Sequence, residues 1–219
     1  MSEFDNIRKS GKIAITLKED DELIYVGVTT GNDEIAIGAN NGRMVRFNED
    51  EVRVMGRSAS GVKGIELENS KVIGAEVIKP NQLILIVTEN GYGKKSEIEE
   101  YRLTHRGSKG VKALNITDKN GMMVALKCVN PGDDYDLMIM TDSGIIIKLP
   151  LEQVSTLKRA TQGVRLINLK EDQKVSTVAV VEKEETEEST ESTGEEAESA
   201  PVEKDISSEE KTQNTENDA

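Results

Sequence analysis

Apolar and polar positions alternate along this chain in short runs broken by glycine, asparagine and aspartate, the pattern of half-buried β-strands. Strands are predicted at 12–17, 22–28, 34–39, 43–47, 71–78, 83–88, 92–95, 111–116, 122–129, 137–141, 145–149, 164–169 and 174–181. Helical spacing is confined to 98–103 and 151–157, each long enough for a single turn. Asn41-Gly42, Asn90-Gly91 and Ser143-Gly144 fall between paired runs. They predict hairpins, with a type I′ turn where both central residues take positive φ.

The runs recur as a unit. One landmark holds an Arg, a Gly four residues on, then Val, then a Lys or Arg, ahead of an alternating strand. Its copies are Arg57 with Gly61-Val62-Lys63, Arg106 with Gly110-Val111-Lys112, and Arg159 with Gly163-Val164-Arg165. Gly61, Gly110 and Gly163 lie 49 and 53 residues apart, and a weaker copy starts at Gly11, 50 residues before Gly61. Gly42, Gly91 and Gly144 precede that set by 19 residues each time. Two landmarks holding one offset through three copies define a repeat with a period near 50 residues. Units of four strands are expected at roughly 18–67, 68–116 and 117–169. The fold class is therefore all-β and propeller-like: about three blades plus part of another, the 12–17 strand reading as the last strand of a further unit. Closed propellers have ~4 to 8 blades, so the parent chain is longer or the blades form an open array.

Composition changes this picture at one end. From Glu182 to Ala219 there are 15 acidic and 3 basic residues, a net charge of −12. Taken from the whole chain's 41 acidic and 28 basic residues, they leave 26 and 25, so the 1–181 body has a net charge of −1. The acidic balance belongs to a tail expected to be disordered, because Glu, Ser and Thr cannot bury enough apolar surface to offset the entropy of ordering. One cysteine, Cys128, leaves no intramolecular disulfide, and with one histidine, His105, no zinc-ligand set is expected. No run approaches the ~20 apolar residues of a membrane span, and the start lacks a signal peptide's layout. A cytoplasmic chain with no membrane partner is the expectation.

Arg106-Gly107-Ser108-Lys109-Gly110 has two readings. Its glycines let backbone N–H groups approach a phosphate beside Arg and Lys donors; alternatively it is an ordinary glycine-bearing loop with solvated cations. Repetition strengthens the first. Arg57, Arg106 and Arg159 share one register, and Lys63, Lys112 and Arg165 another, which in a repeat array forms an arc of positive charge suited to a DNA backbone. The competing account is that the Arg recurs because it ties its loop to a carboxylate or carbonyl. Arg43, Arg46, Lys94, Lys95 and Lys148 follow the hairpin glycines, either as further DNA contacts or as a solvated strand face. With four Tyr, two Phe and no Trp, stacking on unpaired bases is poorly supported. Neither His105 nor Cys128 has a nucleophile–base partner, so no catalytic residue is expected. A protein-docking scaffold that ignores DNA is the rival reading, and its apolar or aromatic rim is not visible in the sequence.

Gly-Arg-Ser-Ala-Ser-Gly-Val-Lys-Gly-Ile at 56–65, Asn-Gly-Tyr-Gly-Lys-Lys at 90–95 and Thr-Gln-Gly-Val-Arg-Leu-Ile at 161–167 resemble the C-terminal domain of bacterial DNA gyrase A. The resemblance covers 4–181 and implies a β-pinwheel that wraps duplex DNA, within an enzyme that introduces negative supercoils. It implies the rest of gyrase A and gyrase B as partners in a heterotetramer, nucleoid association, and no cofactor here, ATP and Mg acting in other domains. The family's signature heptapeptide has only a degenerate match at 104–110, through Arg106, Gly107, Lys109 and Gly110, and the catalytic-tyrosine motif is not present. The C-terminal domain of the A-type subunit of topoisomerase IV is the alternative. The DNA contacts implied are Arg57, Arg106, Lys109, Lys112, Arg159 and Arg165, with Lys63, Lys94, Lys95, Arg46 and Lys148 behind them. The acidic tail is an expected competitor for the same rim.

Overall fold

The computed structural model describes residues 6, 7 and 9–183. One compact unit spans Met1–Glu184, and the remaining stretch, Glu185–Ala219, holds nearly all of the acidic tail and lies outside the described residues. Three hairpins organise the body: β1 (Glu34–Ala39) with β2 (Arg43–Asn48), β4 (Leu83–Thr88) with β5 (Tyr92–Glu97), and β8 (Tyr135–Thr141) with β9 (Ile146–Pro150). The turns are not type I′. Gly42, Gly91 and Gly144 take φ near +80° (82, 77 and 80°), while Asn41, Asn90 and Ser143 stay at negative φ. Each is a three-residue loop closed by a left-handed glycine, whose N–H donates to the last residue of the incoming strand at 3.0–3.1 Å.

Each hairpin recruits strands from later in the chain. β3 (Val72–Ile78) pairs with β1, β7 (Met123–Val129) with β4, and β11 (Val175–Glu182) with β8, all antiparallel. Two short strands then cap the opposite edges: β6 (Val111–Lys112) on β2 and β10 (Val164–Arg165) on β5. The resulting sheets are β3-β1-β2-β6, β10-β5-β4-β7 and β11-β8-β9. A β-bulge recurs at the same place in each, leaving Ile73, Val124 and Ser176 outside the pairing. The all-β, propeller-like expectation holds, but sheets do not coincide with contiguous units. The first and last strands of the 68–116 unit, β3 and β6, both belong to the preceding hairpin's sheet.

Three strand assignments change for one reason. Residues 12–17, 22–28 and the run after Gly61 are not strands, and Leu23, Ile24, Val26, Val28 and Val62 are exposed. Strands of these classes pair with an earlier hairpin, and the hairpin matching them is not among the described residues. The runs 111–116 and 164–169 shorten to two residues because the pairing reaches the hairpin tip. Ala113 and Leu114 N–H both donate to Gly42 O, at 2.8 and 3.1 Å, and Leu166 and Ile167 N–H both donate to Gly91 O, at 2.8 and 3.3 Å. Single 3-10 turns occur at Ile98–Glu100 and Leu151–Gln153 as expected, and a third at Glu49–Glu51 falls in a segment that reads as polar loop.

The middle sheet is buried on both faces, which is why residues 83–87 are continuously apolar. Ile84 and Ile86 join Met44, Tyr101, Leu114 and Leu126 in one core, while Leu85 and Val87 join Leu137, Ile139, Leu151 and Val154 in another. Each such side chain contributes about 1.5–3 kcal/mol of burial. The β3–β7 and β7–β11 contacts hold successive sheets together. Among the described residues, no helix is long and apolar enough to cross a membrane.

Candidate nucleic-acid interface

The recurring Arg–Gly loops lie one upon another. Each passes over the strand region of the preceding copy and is stitched to it by the same backbone bond: Thr16 N–H to Ala59 O at 3.3 Å, Glu66 N–H to Ser108 O at 2.9 Å, and Asn115 N–H to Thr161 O at 2.9 Å. The repeated arginine adds a second stitch. Arg57 Nη1 donates to Ile13 O at 3.0 Å, Arg106 Nη1 to Lys63 O at 3.2 Å, and Arg159 Nη1 to Lys112 O at 2.9 Å. Arg106 is further held by its Nε to Glu51 O at 2.9 Å. So each arginine holds a main-chain carbonyl of the previous copy, and for Arg106 and Arg159 that carbonyl belongs to a register lysine, Lys63 or Lys112. A guanidinium has five N–H donors, and the carbonyl bond of Arg159 uses one of them.

Glycine is required where the loop turns onto the sheet. Gly110 has φ +65° and lies directly over Met44 O, while at Gly163, φ +80°, an added Cβ would lie 2.8 Å from Gly93 O. At Gly61, φ +83°, nothing lies within 4 Å.

The third-strand cations divide differently from the solvated-face and DNA-contact readings. Lys94 is fully buried and its ammonium donates to Lys158 O at 2.8 Å and Arg159 O at 2.6 Å. Burial pushes its pKa down to about 8, with Glu100 opposing and Arg159 assisting. Lys95, also buried, donates to Leu151 O at 2.9 Å, and burial lowers its pKa. Arg46 is the same device one sheet earlier: its Nη1 donates to Ile98 O and Tyr101 O, both at 2.9 Å, and its Nε pairs with Glu34. Lys148 shares this register but pairs with Asp136, at 2.9 Å, and stays exposed. Lys94, Lys95 and Arg46 therefore tie one sheet to the 3-10 turn or loop of the next, and neither buried lysine reaches the surface. A desolvated cation facing carbonyls cannot be told from a surface cation by sequence.

Lys63, Lys109, Lys112 and Arg165 are exposed. Lys63 pairs with Glu66 and Lys109 with Glu68, and those lysines hold both carboxyls below the usual carboxylate range. Lys112 reaches Asn115 Oδ1 at 3.4 Å. Arg165 donates to Tyr92 Oη at 2.9 and 3.2 Å and to Asn168 Oδ1 at 3.2 Å, with its guanidinium 5.5 Å from the Tyr92 ring centroid. Exposed pairs of this kind are worth about 0–1 kcal/mol, so a phosphate displaces them at low cost. Sequence reasoning misses two cations: Arg53 and Arg102, exposed and 49 residues apart. Each follows a 3-10 turn, and the repeat offset alone is the signal that could find them. Arg102, His105 and Lys109 line an open groove of about 630 Å³ beside the Arg106 loop. Among the described residues, no cluster of His, Cys, Asp or Glu is placed to hold a metal ion.

Exchanged strands, stacked sheets and stitched cationic loops define a propeller-like repeat domain. The chain belongs to the family described as "DNA gyrase C-terminal domain, beta-propeller", whose family model matches residues 1–30, 33–79, 82–130 and 135–182. The last three segments each contain one hairpin and the long strand that crosses to it. The DNA gyrase A subunit of Staphylococcus epidermidis is 48% identical over 188 residues, covering 84% of this chain and 21% of the relative, and that of Staphylococcus aureus is 47% identical over 187 residues, with the same coverage. The chain thus spans about a fifth of the length of the curated relatives it matches. A solved gyrase A C-terminal domain superposes with a TM-score of 0.69 at 23% identity, covering 79% of this chain and 59% of the other. The C-terminal domain of DNA topoisomerase IV gives 0.75 at 26%, covering 82% and 56%.

Proposed function

We propose that this chain is a duplex-DNA-binding and wrapping module of a gyrase-type type II topoisomerase, non-catalytic in itself, acting with the rest of gyrase A and with gyrase B. The observation that carries the reading is the register: Lys63, Lys112 and Arg165 occupy equivalent exposed positions on successive loops that are stitched into one ladder. Lys109, Arg53 and Arg102 add charge beside it. Arg57, Arg106 and Arg159 serve in part as stitches, and Lys94 and Lys95 drop out as direct contacts. Phosphate contacts of this kind position DNA without reading its bases, so binding is sequence-tolerant. The topoisomerase IV likeness supports a topoisomerase IV parent instead, but the relatives at 47–48% identity are gyrase A subunits.

The test is affinity of the full chain for a random duplex across a salt series. Three neutralised phosphates give a slope of log K against log salt near −2.7, or an affinity loss of about 40-fold between 50 and 200 mM salt. Lys112→Ala reduces the slope by about 1. A folded chain that does not bind at 50 mM salt, or binds without salt dependence, overturns the reading.

A further inference from the structure

Two of the stitched loops carry a second tie, from the residue before the stitching arginine to the carboxylate that ends a 3-10 turn of the preceding copy. In the later loop Lys158, before Arg159, meets Glu100, the last residue of the turn at Ile98–Glu100, at 3.1 Å. Lys158 above all holds the Glu100 carboxyl below the usual carboxylate range, and the Arg159 main chain also bonds to it. In the earlier loop Glu51, the last residue of the turn at Glu49–Glu51, receives the Arg106 N–H on Oε2 at 3.2 Å. The residue before Arg106 is a histidine: His105 Nδ1 lies 3.4 Å from the same Oε2. The two ties match position for position, with Glu51 and Glu100 49 residues apart and His105 and Lys158 53 apart. In both, the carboxylate is largely covered and its partner side chain lies in solvent. The Arg106 loop is an interior one, stitched to Lys63 and Glu66 of the copy before it, while Lys112 of its own copy receives Arg159.

We propose that His105 makes this tie proton-operated where Lys158 makes it permanent, so that pH sets how firmly the Arg106 loop is held and how much positive charge its groove offers a phosphate. A lysine keeps its charge across the physiological range, whereas an imidazole ordinarily changes charge between about pH 5 and 8. The groups around the imidazole are few. Glu51 faces it from the 3-10 turn, Arg102 and Lys109 line the same groove, and β2 contributes the uncharged Asn48. The Arg106 guanidinium is turned to Glu51 O and Lys63 O, and Lys109 pairs with Glu68. Three cations against two carboxylates leave one net positive charge here, and protonation of His105 makes it two. The imidazolium then gains a charge-assisted contact with Glu51 that the neutral ring lacks. The effect on DNA rests on the DNA-binding reading above, while the tie itself does not.

Two measurements on the full chain separate the tie from its effect on DNA. His105 is the single histidine of the chain, so its imidazole proton signals titrate alone in a nuclear magnetic resonance spectrum. Glu51→Gln keeps an oxygen for the Arg106 N–H and is expected to lower the His105 midpoint by about half a unit, the size of an exposed ion pair. An unchanged midpoint overturns the proposal. Affinity for a random duplex is then compared at about pH 5.5 and about pH 7.5. Wild type is expected to bind about fivefold more tightly at the lower pH, with a slope against log salt steeper by about 0.9, the weight of one phosphate contact. His105→Lys binds at both pH values as wild type does at the lower, and His105→Gln at both as wild type does at the higher, apart from the small change that the α-amino group contributes to all three. Both substitutions fall on a side chain that is 91% exposed. Dependence on pH that His105→Gln retains in full, or a wild type that binds equally at both, overturns the proposal. A chain that binds no duplex at either pH overturns the DNA reading, and the histidine midpoint then decides the tie alone.

Discussion

Three glycines in one motif, with one backbone conformation and three different surroundings, separate the cost of positive φ from the cost of seating a loop on a sheet. Alanine at Gly61 meets nothing within 4 Å, so its penalty is the left-handed conformation alone, about 1 kcal/mol. At Gly163 the added methyl meets the Gly93 carbonyl at 2.8 Å, a backbone atom that moves only if β5 and β10 separate. At Gly110 it overlaps Met44 O and C together with Val45. Relieving that overlap lifts β6 from β2, strains the 3.3 Å bond from Arg43 to Gly110 O, and uncovers Val111. Overpacking costs typically 1–3 kcal/mol, so Gly110→Ala is expected to lose about 3–4 kcal/mol and Gly163→Ala about 2–3. The assay is urea unfolding of the full chain followed by far-ultraviolet circular dichroism, with midpoints compared at constant slope. Losses within about 0.5 kcal/mol of one another, the usual additivity error, would mean that φ alone sets the requirement. The account of β6 and β10 seated on the hairpins would then be wrong.

Lys94 gives a pH signature with a definite sign. Its pKa is about 8 in the folded chain against the usual 10.5, chiefly through burial, so between those values the unfolded chain holds a proton that the folded chain has lost. Stability then rises with pH through that window and is flat below it. At pH 9.5 the gain for wild type relative to Lys94→Met is about 1 kcal/mol after allowance for screening, read as the change in urea midpoint difference from pH 7. A flat difference refutes the assignment. Cys128 supplies a probe of opening: burial pushes its thiol up to about 12, with Glu76 adding to the shift. Iodoacetamide should label it at pH 8 about a thousandfold more slowly in the folded chain than in urea, by thiolate fraction, and comparable rates by mass spectrometry would show that β7 is not closed.

How far the sequence reaches depends on whether a feature is local. The hairpins at Gly42, Gly91 and Gly144, the 3-10 turns after β5 and β9, and the alternating cores are legible because each rests on residues close along the chain. Strand exchange is not. The run Val72–Ile78 carries the same apolar pattern whether it begins its own sheet or completes the one before, and only the pairing of Ala36 with Glu76 decides it. For the same reason 22–28 reads as a strand but is not one: periodicity records what a segment can bury, while strand formation needs the hairpin that receives it.

The cations make the sharper case. A basic residue that recurs in register at each repeat reads either as part of a DNA rim or as a tie for its loop, and the structure shows the tie to a carbonyl. Arg106 and Arg159 hold the carbonyls of Lys63 and Lys112, and Arg46 and Lys95 hold those of Ile98 and Leu151. A stack of sheets that share no strand needs ties between neighbours, and a long cationic side chain ending in several donors spans that gap. Under the proposed function the two uses cooperate. Once an arginine fixes the main chain at the preceding lysine, that lysine's position on the rim is set by the repeat geometry and not by a free loop. Under the proposed function, ordering the loops before DNA arrives would lower the entropy lost on binding. The repeat thus pairs a stitch with an exposed charge in every copy, and the two are distinguished by burial and partner, which residue type alone does not reveal.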